Sequence, residues 1–352
     1  MVQSGNTMPV RSARLRTLAA AFLGAGGFLL AGWPLPLLLG PMLGCLAAAL
    51  LRAPLAGMGG FGTFLRSYLG VAIGSTVTPG LIGSLPAQGL SLALIPLYVA
   101  TIGAIGYPYF RRVAGFDRPT AFYAAMPGGL QDMLVFGEEA GGEVRAMSLI
   151  HATRVLVIVT VAPFLLMAAW GTDLSRPPGL HLGDIPAAEL FLMLIAGPAG
   201  WKLAERARLF GASILGPLIM TAGLSLAGLI QHRPPAEMIW AAQFFIGIAV
   251  GAKYSGITAR ELRVTVSAGI GFTALLALVS TGFIAVAASV STAPLPDILL
   301  SFLPGGQAEM AVIAIVAEAD VGFVVAHHLT RIFVVILVAP LVGRRGPRRR
   351  RD

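Results

Sequence analysis

Charge is scarce in this chain. Only 12% of its 352 residues are Asp, Glu, Lys or Arg, about half the share of about 25% found in soluble domains, so it cannot cover a globular surface. Instead 56% of the residues are hydrophobic and the mean hydropathy is +0.82. Apolar stretches of about 20 residues, long enough to cross a hydrocarbon core of roughly 30 Å, follow one another from Leu15 almost to the C-terminus. The composition predicts an all-α, polytopic integral membrane protein with no soluble domain between its spans. Cysteine is nearly absent: the single Cys45 sits in an apolar run, cannot form an internal disulfide and reads as inert packing. Metal-ligand spacing is missing too, because His327 and His328 are adjacent and face different ways on a helix. No nucleophile elbow, phosphate loop or dinucleotide fingerprint occurs. These absences argue against an enzyme, and no cofactor or metal is expected.

The net charge of +9 would suggest nucleic acid if it covered a face. It does not. Arg11, Arg14 and Arg16 precede the first apolar segment, and Arg344, Arg345, Arg348, Arg349, Arg350 and Arg351 follow the last; these nine arginines equal the whole excess. Short basic tails beside spans act as positive-inside anchors, whereas a DNA footprint needs a face of a folded domain, so no nucleic-acid partner is expected. The N-terminus has the charged start and apolar core of a signal peptide. A second hydrophobic segment follows after only Gly32-Trp33-Pro34, with no clear small-x-small cleavage site, and the first segment reads as a retained span.

What the chain does have is a repetition. Pro127-Gly128-Gly129 to Pro163 returns without a gap 177 positions later as Pro304-Gly305-Gly306 to Pro340. Asp132 recurs as Glu309, Met133 as Met310, Glu143 as Asp320, His151 as His328, Thr153 as Thr330 and Arg154 as Arg331. Leu39-Gly40-Pro41 matches Leu215-Gly216-Pro217 at an offset of 176, and Gly70 to Gly74 matches Gly247 to Gly251 at 177. Two copies at so long a period point to the paired halves of secondary transporters rather than a solenoid. The division is a first membrane repeat over 1–170, a linker over 171–186, a second repeat over 187–343 and a basic tail over 344–352.

Hydropathy and turn signals place spans near 15–33, 35–51, 62–83, 87–110 and 144–170, then 187–201, 211–230, 237–258, 264–290 and 321–343. That makes about ten transmembrane helices, plus two broken segments, 119–142 and 294–319, which hold the Pro-Gly-Gly motifs. Positive-inside placement of Arg52, of Arg111, Arg112 and Arg118, of Lys202, Arg206 and Arg208, of Arg260 and Arg263, and of both tails requires an odd number of crossings before the linker. Five crossings per half satisfy this if the broken segments re-enter on one side, which makes the halves inverted and the termini cytoplasmic. Arg176 and Arg233 then fall outside. Full crossing by the broken segments would give six spans per half and parallel repeats.

The candidate site follows from what the repetition carries. Proline removes a donor and glycine permits close approach, so Pro127, Gly128 and Gly129, and Pro304, Gly305 and Gly306, should break a helix. Such irregular backbone is tolerated at membrane depth only where protein or water meets it; the bland reading is an interfacial turn. Asp132 and Glu309 fall in the first turn of the next helix, where the dipole favours negative charge, so capping and a proton- or cation-coupling role are both open. His151 with Arg154, and His328 with Arg331, are spaced i, i+3 on one face; histidine titrates near neutrality, and the arginines would pair with Asp132 and Glu309 across the fold, with Glu143 and Asp320 on their own helices, or simply snorkel. The glycine pairs Gly40/Gly44, Gly70/Gly74 and Gly247/Gly251 read as tight helix packing, and Lys253 as a lone charge that either snorkels or belongs to a site. His327 has no counterpart, since Ile150 stands there.

With these residues in view, Leu-Leu-Leu-Gly-Pro-Met at 37–42, Pro-Gly-Gly-Leu-Gln-Asp-Met at 127–133 and the two His-x-x-Arg pairs resemble the AbrB-like bacterial inner-membrane proteins, over almost the whole chain. The resemblance implies a membrane protein of about ten spans with an AbrB duplication domain. The family's labels, regulator of gene expression or ammonia monooxygenase, do not follow from these residues: oxygenase ligands are absent, and the soluble DNA-binding regulator of that name is a small, different domain. The second copy reads Pro-Gly-Gly-Gln-Ala-Glu, which departs from the first. Two functions stand side by side: a secondary transporter of a small solute, anions included, worked by rocking of two inverted halves, and a membrane-bound regulator acting through a partner. The substrate, the lipid bilayer and a further copy of the chain are the partners considered, at the bacterial inner membrane.

Overall fold

A computed structural model describes residues 10–343; the basic tail, with Arg344, Arg345, Arg348, Arg349, Arg350 and Arg351, lies outside the described residues. Among the described residues there are helices and turns and no strand. In chain order the helices are α1 (Val10–Leu30), α2 (Pro36–Leu50), α3 (Gly59–Gly74), α4 (Pro79–Ser84), α5 (Gly89–Pro108), α6 (Arg118–Ala125), α7 (Leu130–Glu139) and α8 (Val144–Trp170). There follow α9 (Ala187–Arg206), α10 (Ala212–Leu226), α11 (Ala236–Gly251), α12 (Ala259–Glu261), α13 (Ser267–Val290), α14 (Leu295–Phe302), α15 (Gln307–Val316) and α16 (Val321–Gly343).

Seven of these, extended by their flanking turns, are long and apolar enough to cross a membrane. The span expected near 62–83 is α3, of only 16 residues; those expected near 35–51 and 211–230 are shorter still, α2 and α10 having 15 residues each, about 22 Å of helix. Each starts after a left-handed residue, Leu35 (φ 49°) or Gly211 (φ 55°), and each stops at a turn. The apolar residues exposed on α1 and α9, Leu23 and Phe191 among them, suit lipid rather than water.

The helices pack into two bundles, and each bundle draws on both halves of the chain. One holds α1, α2, α3, α9, α10 and α11; the other holds α5, α6, α7, α8, α13, α14, α15 and α16; α3 and α11 make only thin contact with α8, α15 and α16. Glycine is what lets the first bundle close. Gly70 and Gly74 of α3 lie on the backbone of α10 at Ile214 and Leu218, and Gly247 and Gly251 of α11 lie on the backbone of α2 at Leu38 and Met42. The two halves are therefore interleaved, and rocking one half against the other would tear these contacts.

The connections gather at two ends. At one end Ser255 bridges Leu55, donating to its carbonyl and accepting from its amide at 2.9 Å each. Arg145 there donates to Glu261, Lys253 O and Ser255 O at 2.9–3.2 Å, and Arg14 donates to Gly57 O. At the other end Arg176 donates to Glu318 at 3.1 Å, Ala236 N donates to Leu180 O at 2.8 Å, and Glu189 accepts from the amides of Gln231 and His232.

α6 and α7 form a hairpin that returns to the end it left, because Thr120 in the first turn of α6 accepts a 2.7 Å hydrogen bond from the amide of Glu143, the residue before α8. α14 and α15 do the same at the other end: Asp297 Oδ2 accepts from the amide of Asp320, just before α16, at 3.3 Å. Thr120→Val should cost about 1 kcal/mol through the unsatisfied Glu143 amide, seen as a melting temperature lowered by a few degrees and restored by Thr120→Ser; an unchanged melting temperature would contradict this closure.

Candidate functional site

Breaking a helix inside a bundle leaves backbone groups without partners, and the residues around each Pro-Gly-Gly exist in positions to meet them. α6 ends at Ala125 and α7 begins at Leu130, so Met126 to Gly129 is the tip of the first hairpin. Pro127 and Gly128 are buried and Gly129 is partly exposed; Pro304, Gly305 and Gly306 repeat that pattern. Gly128 has no room for a side chain, since a Cβ there would stand 2.8 Å from Val335 Cγ1 of α16.

The carbonyls at the end of α6 are taken by α8. His151 Nε2 donates to Tyr123 O at 3.1 Å and Arg154 Nη1 to Met126 O at 3.3 Å. In the second hairpin His328 Nε2 donates to Leu300 O at 2.9 Å, while Arg331 sends Nη1 to Leu303 O at 3.2 Å and Nη2 to Gly305 O at 2.9 Å. A cation at a helix C-terminus is also favoured by the dipole. Both histidines are wholly buried, and Arg154 and Arg331 are 3% and 2% exposed. The two arginines stand about 15 Å along α8 and α16 from the start of each helix, well inside the bundle.

The amides at the start of α7 and α15 are met differently. Asp132 and Glu309 fold back over their own helix starts, each carboxylate lying against the glycine before it, Gly129 or Gly306, with its own backbone amide within electrostatic reach. The expected ion pairs between these acids and the arginines are not formed: among the described residues no ion pair within 4 Å involves Asp132, Glu309, Arg154 or Arg331. Glu143 and Asp320 do not pair with the arginines either; Asp320 Oδ1 instead accepts from the Phe323 amide at the start of α16. The physical reason is local: a helix N-terminus is nearer to each acid than any guanidinium, and the hairpin carbonyls are nearer to each arginine.

Two hairpins entering from opposite ends thus place two buried guanidiniums in one electrostatic neighbourhood, which Glu309 and the Tyr98 hydroxyl share. Polar capacity is left over there. Arg154 Nε, Arg331 Nε, His151 Nδ1 and His328 Nδ1 are all buried without a hydrogen-bond partner. Buried polar atoms are nearly always satisfied, and these four form a matched set, two from each hairpin's partner helix.

The sequence comparisons join this arrangement to a known group of proteins. Residues 37–345 match the family model described as "Transition state regulatory protein AbrB". The chain belongs to the AbrB family. Among its relatives, "Uncharacterized protein YhjN" of Bacillus subtilis (strain 168) is 25% identical over 295 residues, covering 78% of this chain and 76% of that protein. "Putative regulator AbrB" of Escherichia coli (strain K12) is 24% identical over 329 residues, covering 90% and 92%.

Several residues of the centre in this AbrB-family chain were not visible from sequence. Tyr98 of α5 bonds Ser280 Oγ at 2.7 Å and Phe302 O at 2.6 Å. Arg66, the one charged residue of α3, lies within electrostatic reach of Glu309 and Lys253. Thr120 and Asp297, which close the hairpins, stand 177 positions apart, and that spacing was the signal that could have found them. His327, by contrast, faces α5, with Nε2 3.0 Å from Ser91 Oγ. Lys253 is partly buried beside the Arg145 bridge, consistent with an interfacial charge.

Proposed function

We propose that this protein is a secondary transporter of a small anionic solute, built from two inverted copies of one five-span unit and situated in the bacterial inner membrane with the basic end in the cytoplasm. The observation that carries the reading is the pair of buried guanidiniums at the tips of two hairpins, with no carboxylate within ion-pair distance. An unpaired buried charge costs several kcal/mol unless it meets a counter-ion, and each guanidinium keeps an Nε without a partner. A carboxylate or phosphate oxygen would supply what is missing.

The inverted arrangement is supported by helix bounds and hydrogen bonds that recur at one offset, from the Thr120–Glu143 closure to the Asp297–Asp320 closure. It is also supported by the gathering of Arg14, Arg145 and Lys253 at one end of the molecule. Movement would follow the thin seam between the two bundles, α3 and α11 sliding past α8 and α15, rather than a rocking of the sequence halves. No enzymatic step belongs to this reading. Asp132 and Glu309 serve it as caps of the hairpin tips, so Asp132→Asn should leave the fold intact at a cost of about 0.3–1 kcal/mol.

The regulatory wording of the family description and of the Escherichia coli relative fits a different activity. Among the described residues the longest stretch between helices is 171–186, too short for a DNA-binding domain, and a regulatory effect would then come through what the protein moves. The test is uptake of a panel of labelled carboxylates, phosphate and sulfate into proteoliposomes. At least one anion should accumulate with the native protein and none with Arg154→Ala or Arg331→Ala inserted in equal amount. Transport of cations alone, or equal transport by the variants, would overturn the reading.

A further inference from the structure

A second place in the molecule combines a cavity with an unmet hydrogen bond. A cavity of about 490 Å³ opens at the end that carries the α1–α2 turn and the segment 171–186. Its walls come from both bundles: Trp33 from the α1–α2 turn, Leu37 from α2 and Trp240 and Gln243 from α11 on one side, Met167 of α8 and Val316 of α15 on the other. The volume lies within the range of about 300–1,000 Å³ typical of small-molecule sites, and so does the mostly apolar lining with few polar groups.

One of those polar groups is not satisfied. Gln243 is 2% exposed, and its Nε2 has no hydrogen-bond partner. An amide buried on a transmembrane helix without a partner costs about 1–3 kcal/mol, which leucine at that position would avoid. The mouth is different in character. Asp173 and Arg176 stand there half-exposed, and Arg176 is already held by Asp173 at 3.4 Å and by Glu318 at 3.1 Å. Ser175 donates both its hydroxyl and its amide to Asp173. The only cation among the lining residues is therefore engaged by two carboxylates, Asp173 in the lining and Glu318 beyond it, which disfavours a free anion at the mouth.

We infer that this cavity is a binding site for an uncharged, largely apolar small molecule carrying one hydrogen-bond acceptor, with the acceptor on Gln243 Nε2 and the apolar body between Trp33 and Trp240. The inference is independent of transport: the site is separate from the arginine pair, and its ligand has the opposite polarity. The occupant touches both bundles, so it would hold them in one relative position.

The test uses the full chain in phospholipid nanodiscs. Trp170→Phe with Trp201→Phe leaves Trp33 and Trp240 as the two remaining of the four tryptophans. Benzamide is the probe, with benzoate and benzylammonium as charged molecules of nearly the same shape. Benzamide should quench the fluorescence saturably, and both ions should bind at least tenfold more weakly. Gln243→Leu should weaken benzamide at least fivefold while leaving the melting temperature equal or higher, a combination that a merely structural glutamine would not give. Val316→Phe, which fills the cavity from the other wall, should abolish the quenching. Unsaturable quenching, benzoate binding as tight as benzamide, or full binding by Gln243→Leu would each overturn the assignment. Binding that appears in detergent and vanishes in nanodiscs would assign the space to a lipid tail and overturn it as well.

Discussion

Arg331→Lys should impair this protein more than Arg154→Lys. Arg331 serves two carbonyls, Leu303 O and Gly305 O, whereas Arg154 serves Met126 O alone. Lysine keeps the charge but offers a single compact ammonium in place of the planar fork. It can follow one carbonyl and must abandon the other, leaving a buried acceptor that costs about 1–3 kcal/mol, or roughly 5- to 150-fold in any equilibrium that depends on that tip. The expected result is a loss of one to two orders of magnitude in anion uptake for Arg331→Lys, against a loss of less than tenfold for Arg154→Lys. Both should reach the membrane in normal amount. Equal effects would mean that the second hairpin does not depend on the two-pronged contact, and the role assigned to Arg331 would have to be withdrawn.

The largest effects on stability should come from glycine. A Cβ at Gly70 would stand 2.9 Å from Pro217 Cβ and 3.1 Å from the carbonyl carbon of Ile214; at Gly247 it would stand 3.1 Å from Met42 N and 3.2 Å from Pro41 Cβ, with Leu38 O closer still. The obstructing atoms are mostly backbone and cannot rotate away. Gly70→Val and Gly247→Val should therefore reach or exceed the upper end of the roughly 1–3 kcal/mol that overpacking costs, and the purified variants should aggregate or lose their sharp thermal transition. Gly282→Ala is the control, because nothing lies within 4 Å of the added carbon. If the two valine variants melt like the native chain, α3 does not lie directly on α10, nor α11 on α2.

Much of this was legible from residues alone. Scarce charge and long apolar runs specify a helical membrane protein, because only closed hydrogen bonding survives in lipid. The repeated Pro-Gly-Gly, acid, histidine and arginine identify the residues that surround the two breaks. Their roles were less legible. Pairing Asp132 and Glu309 with the arginines is what charge alone suggests, yet the acids turn back over their own helix starts and the arginines reach carbonyls. Orphaned backbone at a broken helix is invisible in a list of side chains. The same holds for Tyr98, Gln243 and Arg66, which look like ordinary span residues until helices from the other half of the chain are set beside them.

By itself, then, the sequence determined the class of protein, the positions of the two breaks and the residues that attend them, because composition and spacing act locally along the chain. The tertiary structure alone decided that the halves interleave into two bundles, that each broken segment returns to its own end, and that two guanidiniums share one buried neighbourhood. Those outcomes depend on which backbones can approach closely enough for glycine contacts and cross-chain hydrogen bonds to form, and that is a property of distances in space rather than along the chain.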